Sequence, residues 1–183
     1  MAEHLLLVGM MGAGKSTVAQ LVAARLGRPH IDTDVEVERV AGSTVSELFS
    51  TRGETGFRAQ ESSVLTEVLA RSVPAVISVG GGAILDPAQR SALRASGPVV
   101  WLRARPDTLA RRVGRGAGRP LLVAGGGDTS EGPAGALARI DGERRALYEE
   151  VASVVIDVDD LTPGAVAERV VSAVGLSPHE HSR

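Results

Sequence analysis

The chain has no cysteine. That excludes a disulfide framework, a thiol nucleophile and any thiolate-bound metal, and it fits a reducing cytoplasm. Aromatic residues are nearly absent too, with two Phe, one Tyr and one Trp among 183 residues. Hydrophobic content is nonetheless ordinary for a globular protein, and the length suits one domain with a well-buried core. Neither sign of charge is in excess: the formal net charge is −2, so no general attraction to nucleic acid or an anionic membrane is implied. Long apolar runs are missing as well. Leu5-Leu6-Leu7-Val8 is cut by Gly9 far short of a membrane span and lacks a basic leader, so it reads as a buried strand. Internal repeats and interdomain linkers are not evident.

Lysine is scarce too. Of twenty Lys plus Arg residues, only Lys15 is a lysine. A compact, flexible ammonium can fold back over a phosphate in a way that a planar guanidinium cannot, so the position of this one residue is informative.

What is present is an alternation of short apolar runs with amphipathic stretches. Strands are expected at His4–Gly9, Pro29–Asp32, Ala75–Val79, Val99–Leu102 and Ser153–Ile156, mostly apolar as in a parallel sheet covered on both faces. Helices are expected at Lys15–Leu26, Asp34–Ala41, Thr55–Arg71, Pro87–Ala95, Pro106–Val113, Ala134–Val151 and Pro163–Val174, with Pro87, Pro106 and Pro163 as first-turn prolines. Such alternation indicates an α/β sandwich. The segment 113–135 is glycine-rich and reads both as a surface loop and as a mobile lid, with Arg115, Arg119 and Pro120 at its start. The tail 177–183 reads as disordered, leaving 1–176 as one domain.

Gly9-Met-Met-Gly12-Ala13-Gly14-Lys15-Ser16-Thr17 fits G-x4-G-K-[ST] between an expected strand and an expected helix. That is the setting in which the motif is credible. The glycines let backbone N–H groups converge on phosphate oxygens. The helix start adds unpaired donors and the positive end of its dipole. Lys15 is placed to reach the β- and γ-phosphates and the Ser16 hydroxyl to ligate Mg²⁺.

The motif identifies a nucleotide site, not an acceptor, which must come from the rest of the chain. If the end of the second strand stays extended, Asp32 and Asp34 project to one side. Gly53-Glu54 precedes Phe57-Arg58 and Glu61, and at helical spacing Glu61 can orient the Arg58 guanidinium. The third strand runs into Gly80-Gly81-Gly82, Arg119-Pro120-Leu121-Leu122 opens the glycine-rich segment, and Arg144-Arg145 precedes Leu147-Tyr148. Each also has a plain structural reading: a helix cap for Asp32 or Asp34, an exposed ion pair for Arg58–Glu61, a turn for the glycines, solvated charge for the late arginines.

Taken in order, GMMGAGKST, DTD, GE-x-x-FR-x-x-E, S-x-GGG, RPLL and R-x-x-LY resemble the shikimate kinase family. The resemblance implies transfer of the ATP γ-phosphoryl group to the 3-hydroxyl of shikimate. It also implies a five-stranded parallel sheet between helices, as in nucleoside monophosphate kinases. By the same resemblance, Gly12 to Thr17 bind the nucleotide and Arg119 is a catalytic lid arginine over the phosphates. Arg112 and Pro163 flank adenine. Region 33–61 binds shikimate, with Asp34 on the acceptor hydroxyl and Arg58 and Arg144 on the carboxylate, and Gly80, Gly81 and Gly82 line the ring. Ser16 and Asp32 serve Mg²⁺, Asp32 through water with Ser78 nearby. Arg144 is preferred to Arg145 because it stands four residues before Tyr148. A cytoplasmic monomer without nucleic-acid or membrane partners is implied. The chain departs from the family pattern in a longer, more glycine-rich stretch between Arg119 and Arg144, and in Leu161, where relatives often carry a polar or basic residue. The competing expectations are a gluconate or nucleotide kinase, and a P-loop switch without turnover; the switch lacks any N-K-x-D motif here.

Overall fold

A computed structural model describes residues 3–114 and 132–176. Arg115, Arg119, Pro120, most of the expected lid 113–135 and the tail 177–183 lie outside the described residues.

Five strands form one parallel sheet in the order β2-β3-β1-β4-β5: β1 (Leu5–Val8), β2 (His30–Asp32), β3 (Val76–Ser78), β4 (Val99–Arg103) and β5 (Val154–Asp157). All four residues of β1 are buried, as are the three of β3. Burial on both faces explains why these strands read as continuous apolar runs rather than as alternation. Among the described residues seven helices cover the sheet: α1 (Lys15–Leu26), α2 (Thr33–Ala41), α3 (Val45–Leu69), α4 (Pro87–Ser96), α5 (Pro106–Val113), α6 (Gly132–Val151) and α7 (Pro163–Val174). The chain leaves β1 toward β2 and β3 on one side and later returns to β4 on the other. Ligands of open α/β sheets bind beyond the carboxyl ends of the strands at such a switch point, and β1 ends here at Gly9.

Pro87, Pro106 and Pro163 each open their helix, as expected. Two differences from the sequence reading stand out. Helix α3 begins at Val45, ten residues before the expected start, and bends at Gly53 (φ 66°, ψ −179°). Its first part was legible in Thr44-x-x-Glu47, a capping box in which each partner satisfies the other's backbone. Helix α2 begins at Thr33, because the Asp32 carboxylate accepts from the Asp34 and Val35 amides. The premise of an extended Asp32-Thr33-Asp34 is therefore corrected: Asp32 ends the strand and caps the helix, while Asp34 lies in its first turn. A short 3₁₀ helix, Ala83–Leu85, follows the triple glycine.

Candidate active site

Close packing forces the path of the phosphate loop. Gly9 has φ 145°, and a Cβ there would lie 2.5 Å from the Leu102 carbonyl oxygen. Gly12 has φ 82°, and its Cβ would lie 2.7 Å from Val113 Cγ2. Only glycine lets the chain turn this tightly against β4 and α5. Lys15 folds back over the loop, donating from Nζ to the Gly9 carbonyl at 2.9 Å and to the Met10 carbonyl at 3.2 Å. The ammonium thus sits beside the start of α1, where unpaired amides already favour an anion.

Asp32, at the end of β2, faces this helix start. Its Oδ2 accepts from Ser16 Oγ at 2.5 Å and from Ser78 Oγ at 2.8 Å, and its Oδ1 accepts from the Asp34 amide at 3.0 Å. Burial pushes this carboxyl up, but the hydroxyl and amide donors outweigh burial and hold it below the usual carboxylate range. An ionised carboxylate and a hydroxyl form an oxygen-only donor pair of the kind a hard divalent cation takes. Among the described residues no cluster of three His, Cys, Asp or Glu would hold a metal by itself. A divalent cation held here would therefore need further oxygen ligands from outside the protein.

Two cavities meet at the loop. The larger, about 500 Å³, runs from Gly12–Thr17 past Asp32 and Ser78 to Arg112, Leu161 and Pro163. Arg112 donates to the Val158 carbonyl at 2.9 Å, tying α5 to the turn after β5, whereas Arg111 turns to Thr108. The second cavity, about 300 Å³, is enclosed by α2, α3, the triple glycine and α6. Lys15 and Asp34 line both.

The second cavity is cationic at one end. Arg58 and Arg144 both line it, and Arg144 is only 8% exposed whereas Arg145 is exposed and paired with Asp141. Glu61, 5% exposed, accepts from Arg58 at 2.7 Å; burial pushes its carboxyl up against the pull of Arg58. The ion pair therefore joins a half-buried guanidinium to a buried carboxylate, an oriented contact rather than a solvated helix pair. Gly81 and Gly82 line this cavity as well, and Gly80 is buried beside it. A Cβ on Gly80 would come within 2.7 Å of both Asp34 Oδ1 and Glu61 Oε1. At Gly82 it would occupy the space of the Arg58 guanidinium. The glycines admit the charged groups to the site as well as forming a turn.

Sequence reasoning missed the apolar wall and the support beneath it. Val45, Phe49 and Phe57 line the cavity, with Phe49 and Phe57 rings 4.5 Å apart. Below, Arg144 and the Tyr148 hydroxyl both donate to the Gly81 carbonyl, at 2.9 and 3.2 Å. Tyr148 stacks on Trp101 with ring centroids 5.4 Å apart. The four-residue step from Arg144 to Tyr148 was the available signal for this floor; nothing local marked the wall.

Comparison with known proteins agrees with this geometry. The family model for shikimate kinase matches residues 11–175. A shikimate kinase of Symbiobacterium thermophilum is 45% identical over 159 residues, covering 85% of this chain and 87% of that protein. One from Rhizobium meliloti is 40% identical over 172 residues, covering 94% and 85%. A solved structure of shikimate kinase from Acinetobacter baumannii in complex with shikimate is 34% identical, with a TM-score of 0.87, covering 95% of this chain and 93% of that one. A model match over most of the chain, and relatives this similar along most of their own length, mean that the chain belongs to the shikimate kinase family.

Proposed function

We propose that this protein transfers the γ-phosphoryl group of ATP to the 3-hydroxyl of shikimate. The observation that carries the reading is the meeting of two cavities at Lys15 and Asp34. One has the glycine-rich walls and helix start that suit a nucleotide's phosphates. The other offers two arginines to a carboxylate and an apolar face to a small ring.

Phosphoryl transfer needs positioning and charge stabilisation more than covalent help. In this reading Arg58 and Arg144 hold the carboxylate and Gly80–Gly82 give the ring room. Asp34 receives the acceptor hydroxyl on the cavity side next to Lys15, orienting it and taking its proton as the bond to phosphorus forms. Lys15 offsets charge on the oxygens of the transferred group. Arg112, Leu161 and Pro163 flank the adenine end, and Arg119 is the lid arginine. Ser16 and Asp32 would hold Mg²⁺, which when bound neutralises charge on the β- and γ-phosphates. Both Asp32 oxygens already accept hydrogen bonds, which supports contact through water. We infer further that residues 1–176 act as one kinase domain and that the enzyme works as a cytoplasmic monomer. Among the described residues no helix is long and apolar enough to cross a membrane.

ADP release from ATP and Mg²⁺ is expected to require shikimate and to ignore gluconate and nucleoside monophosphates. Turnover with gluconate or a monophosphate while shikimate stays inert would overturn the assignment. A second test addresses the carboxylate grip. Gly82→Ala displaces the Arg58 guanidinium, so kcat/KM for shikimate should fall roughly tenfold to a hundredfold, the usual cost of misplacing a bound substrate by about an ångström. The KM for ATP should stay near its wild-type value, as initial rates with each substrate varied will show.

A further inference from the structure

The family reading gives no role to His30, yet it stands one hydroxyl away from Asp32. In the parallel pairing of β2 with β3, His30 lies opposite Val76 and Asp32 opposite Ser78. Residues two apart on a strand share a face, so His30 and Asp32 flank the same Ser78 side chain. His30 Nε2 is 3.1 Å from Ser78 Oγ, and Ser78 Oγ is 2.8 Å from Asp32 Oδ2. Ser16 Oγ contacts that same carboxylate oxygen.

Counting protons fixes the direction of the chain. An ionised carboxylate only accepts, so the single Ser78 hydroxyl proton goes to Asp32. The Ser78 oxygen can then only accept from His30, which requires the hydrogen to be on Nε2. Ser78 is 2% exposed, so water is not at hand to replace this donor. A hydroxyl held at one end alone can rotate, whereas one held at both ends is fixed and polarised toward its acceptor.

We propose that His30 is a positioning residue for the Asp32 carboxylate, acting through Ser78 by an Nε2–H to hydroxyl to carboxylate chain. It touches neither substrate. Its effect is to hold Asp32 turned toward Ser16 and the loop, as outer hydrogen bonds orient the groups that hold a metal. The proposal rests on the reading of Ser16 and Asp32 as the groups that serve Mg²⁺.

Two measurements on the full chain decide it. Nitrogen-15 NMR of the protein without nucleotide or metal should show neutral His30 protonated at Nε2; the Nδ1–H tautomer overturns the chain. Calorimetry of ADP binding with Mg²⁺ and with a chelator then reads the metal side. His30→Phe should reduce the Mg²⁺ enhancement about threefold to tenfold, the worth of one hydrogen bond, and leave metal-free ADP affinity within about twofold. His30→Gln, whose amide can donate to the same oxygen, should recover most of the enhancement and keeps a polar side chain on the strand if the Phe variant folds poorly. Equal enhancement in wild type and His30→Phe overturns the role, as does equal loss in both variants. A wild type with no Mg²⁺ enhancement overturns the metal reading and the role with it, while the tautomer reports on the hydrogen-bond chain separately.

Discussion

Lys15→Met is expected to lower kcat about 10²–10³-fold, the loss typical when one preorganised donor to transition-state charge is removed. Methionine keeps the length of the side chain and its apolar stem but removes the charge. The fold loses the donations to the Gly9 and Met10 carbonyls, worth about 1–2 kcal/mol together. For a chain of this size that is a fall in melting temperature of roughly 2–8 °C. Initial rates of shikimate-dependent ADP release and a thermal melt by circular dichroism separate the two effects. A variant that keeps wild-type kcat would remove Lys15 from the mechanism. Arginine is not expected to rescue it, because the planar guanidinium does not fit a loop folded this closely over the side chain. This is the physical content of a composition in which nineteen of twenty basic residues are arginine and the exception lies in the phosphate loop.

Asp34→Asn is expected to lower kcat about 10²–10⁴-fold, the range for loss of a general base, with little change in the KM for either substrate. The amide is nearly isosteric and can still hydrogen bond a hydroxyl, so orientation survives while proton acceptance does not. Asp34 is exposed in the first turn of α2, and its backbone amide, which donates to Asp32 Oδ1, is untouched by the substitution. The melting temperature should therefore hold. A loss of only a few fold would assign Asp34 to orienting the hydroxyl, as a loose transition state with late proton transfer permits. Wild-type turnover would exclude it from both roles.

The scarce aromatic residues gather around the acceptor cavity. Phe49 and Phe57 line it, Tyr148 donates to the Gly81 carbonyl, and Trp101 stacks on Tyr148. In the sequence the two Phe of α3, Trp101 of β4 and Tyr148 of α6 are separated from one another by more than forty residues, and no local pattern joins the three elements. Rigid flat rings give a small cavity a firm wall and floor at low entropic cost. Trp101 and Tyr148 are among the largest fully buried side chains, so this support is continuous with the core.

Local rules carried far where the signal was local. The strand–loop–helix context of Gly9–Thr17, the first-turn prolines and the apolar strands were legible because each depends on residues a few positions apart. They lead to the observed five-stranded parallel sheet. At Asp32-Thr33-Asp34 the sequence left open an extended end, with both carboxylates on one side, and a helix cap; the structure selects the cap, because the Asp32 side chain accepts from the Asp34 and Val35 amides and starts the helix at Thr33. The missing first part of α3 came from overlooking the Thr44–Glu47 box and stopping at Gly53, a glycine the helix bends around.

By itself the sequence determined a glycine-rich loop that carries Lys15 from the end of a buried strand into a helix, because that motif is written in adjacent residues. Only the tertiary structure decided what faces that loop. Crossing of α2, α3 and α6 over the switch point brings Arg58, Glu61 and Arg144 against Gly80–Gly82 and closes an acceptor cavity onto Asp34. Those contacts span more than eighty residues of chain between Arg58 and Arg144. Helical spacing proposes such partners, but burial and packing select Arg144 over its neighbour Arg145 and a half-buried Arg58 on a buried Glu61 over a solvated pair.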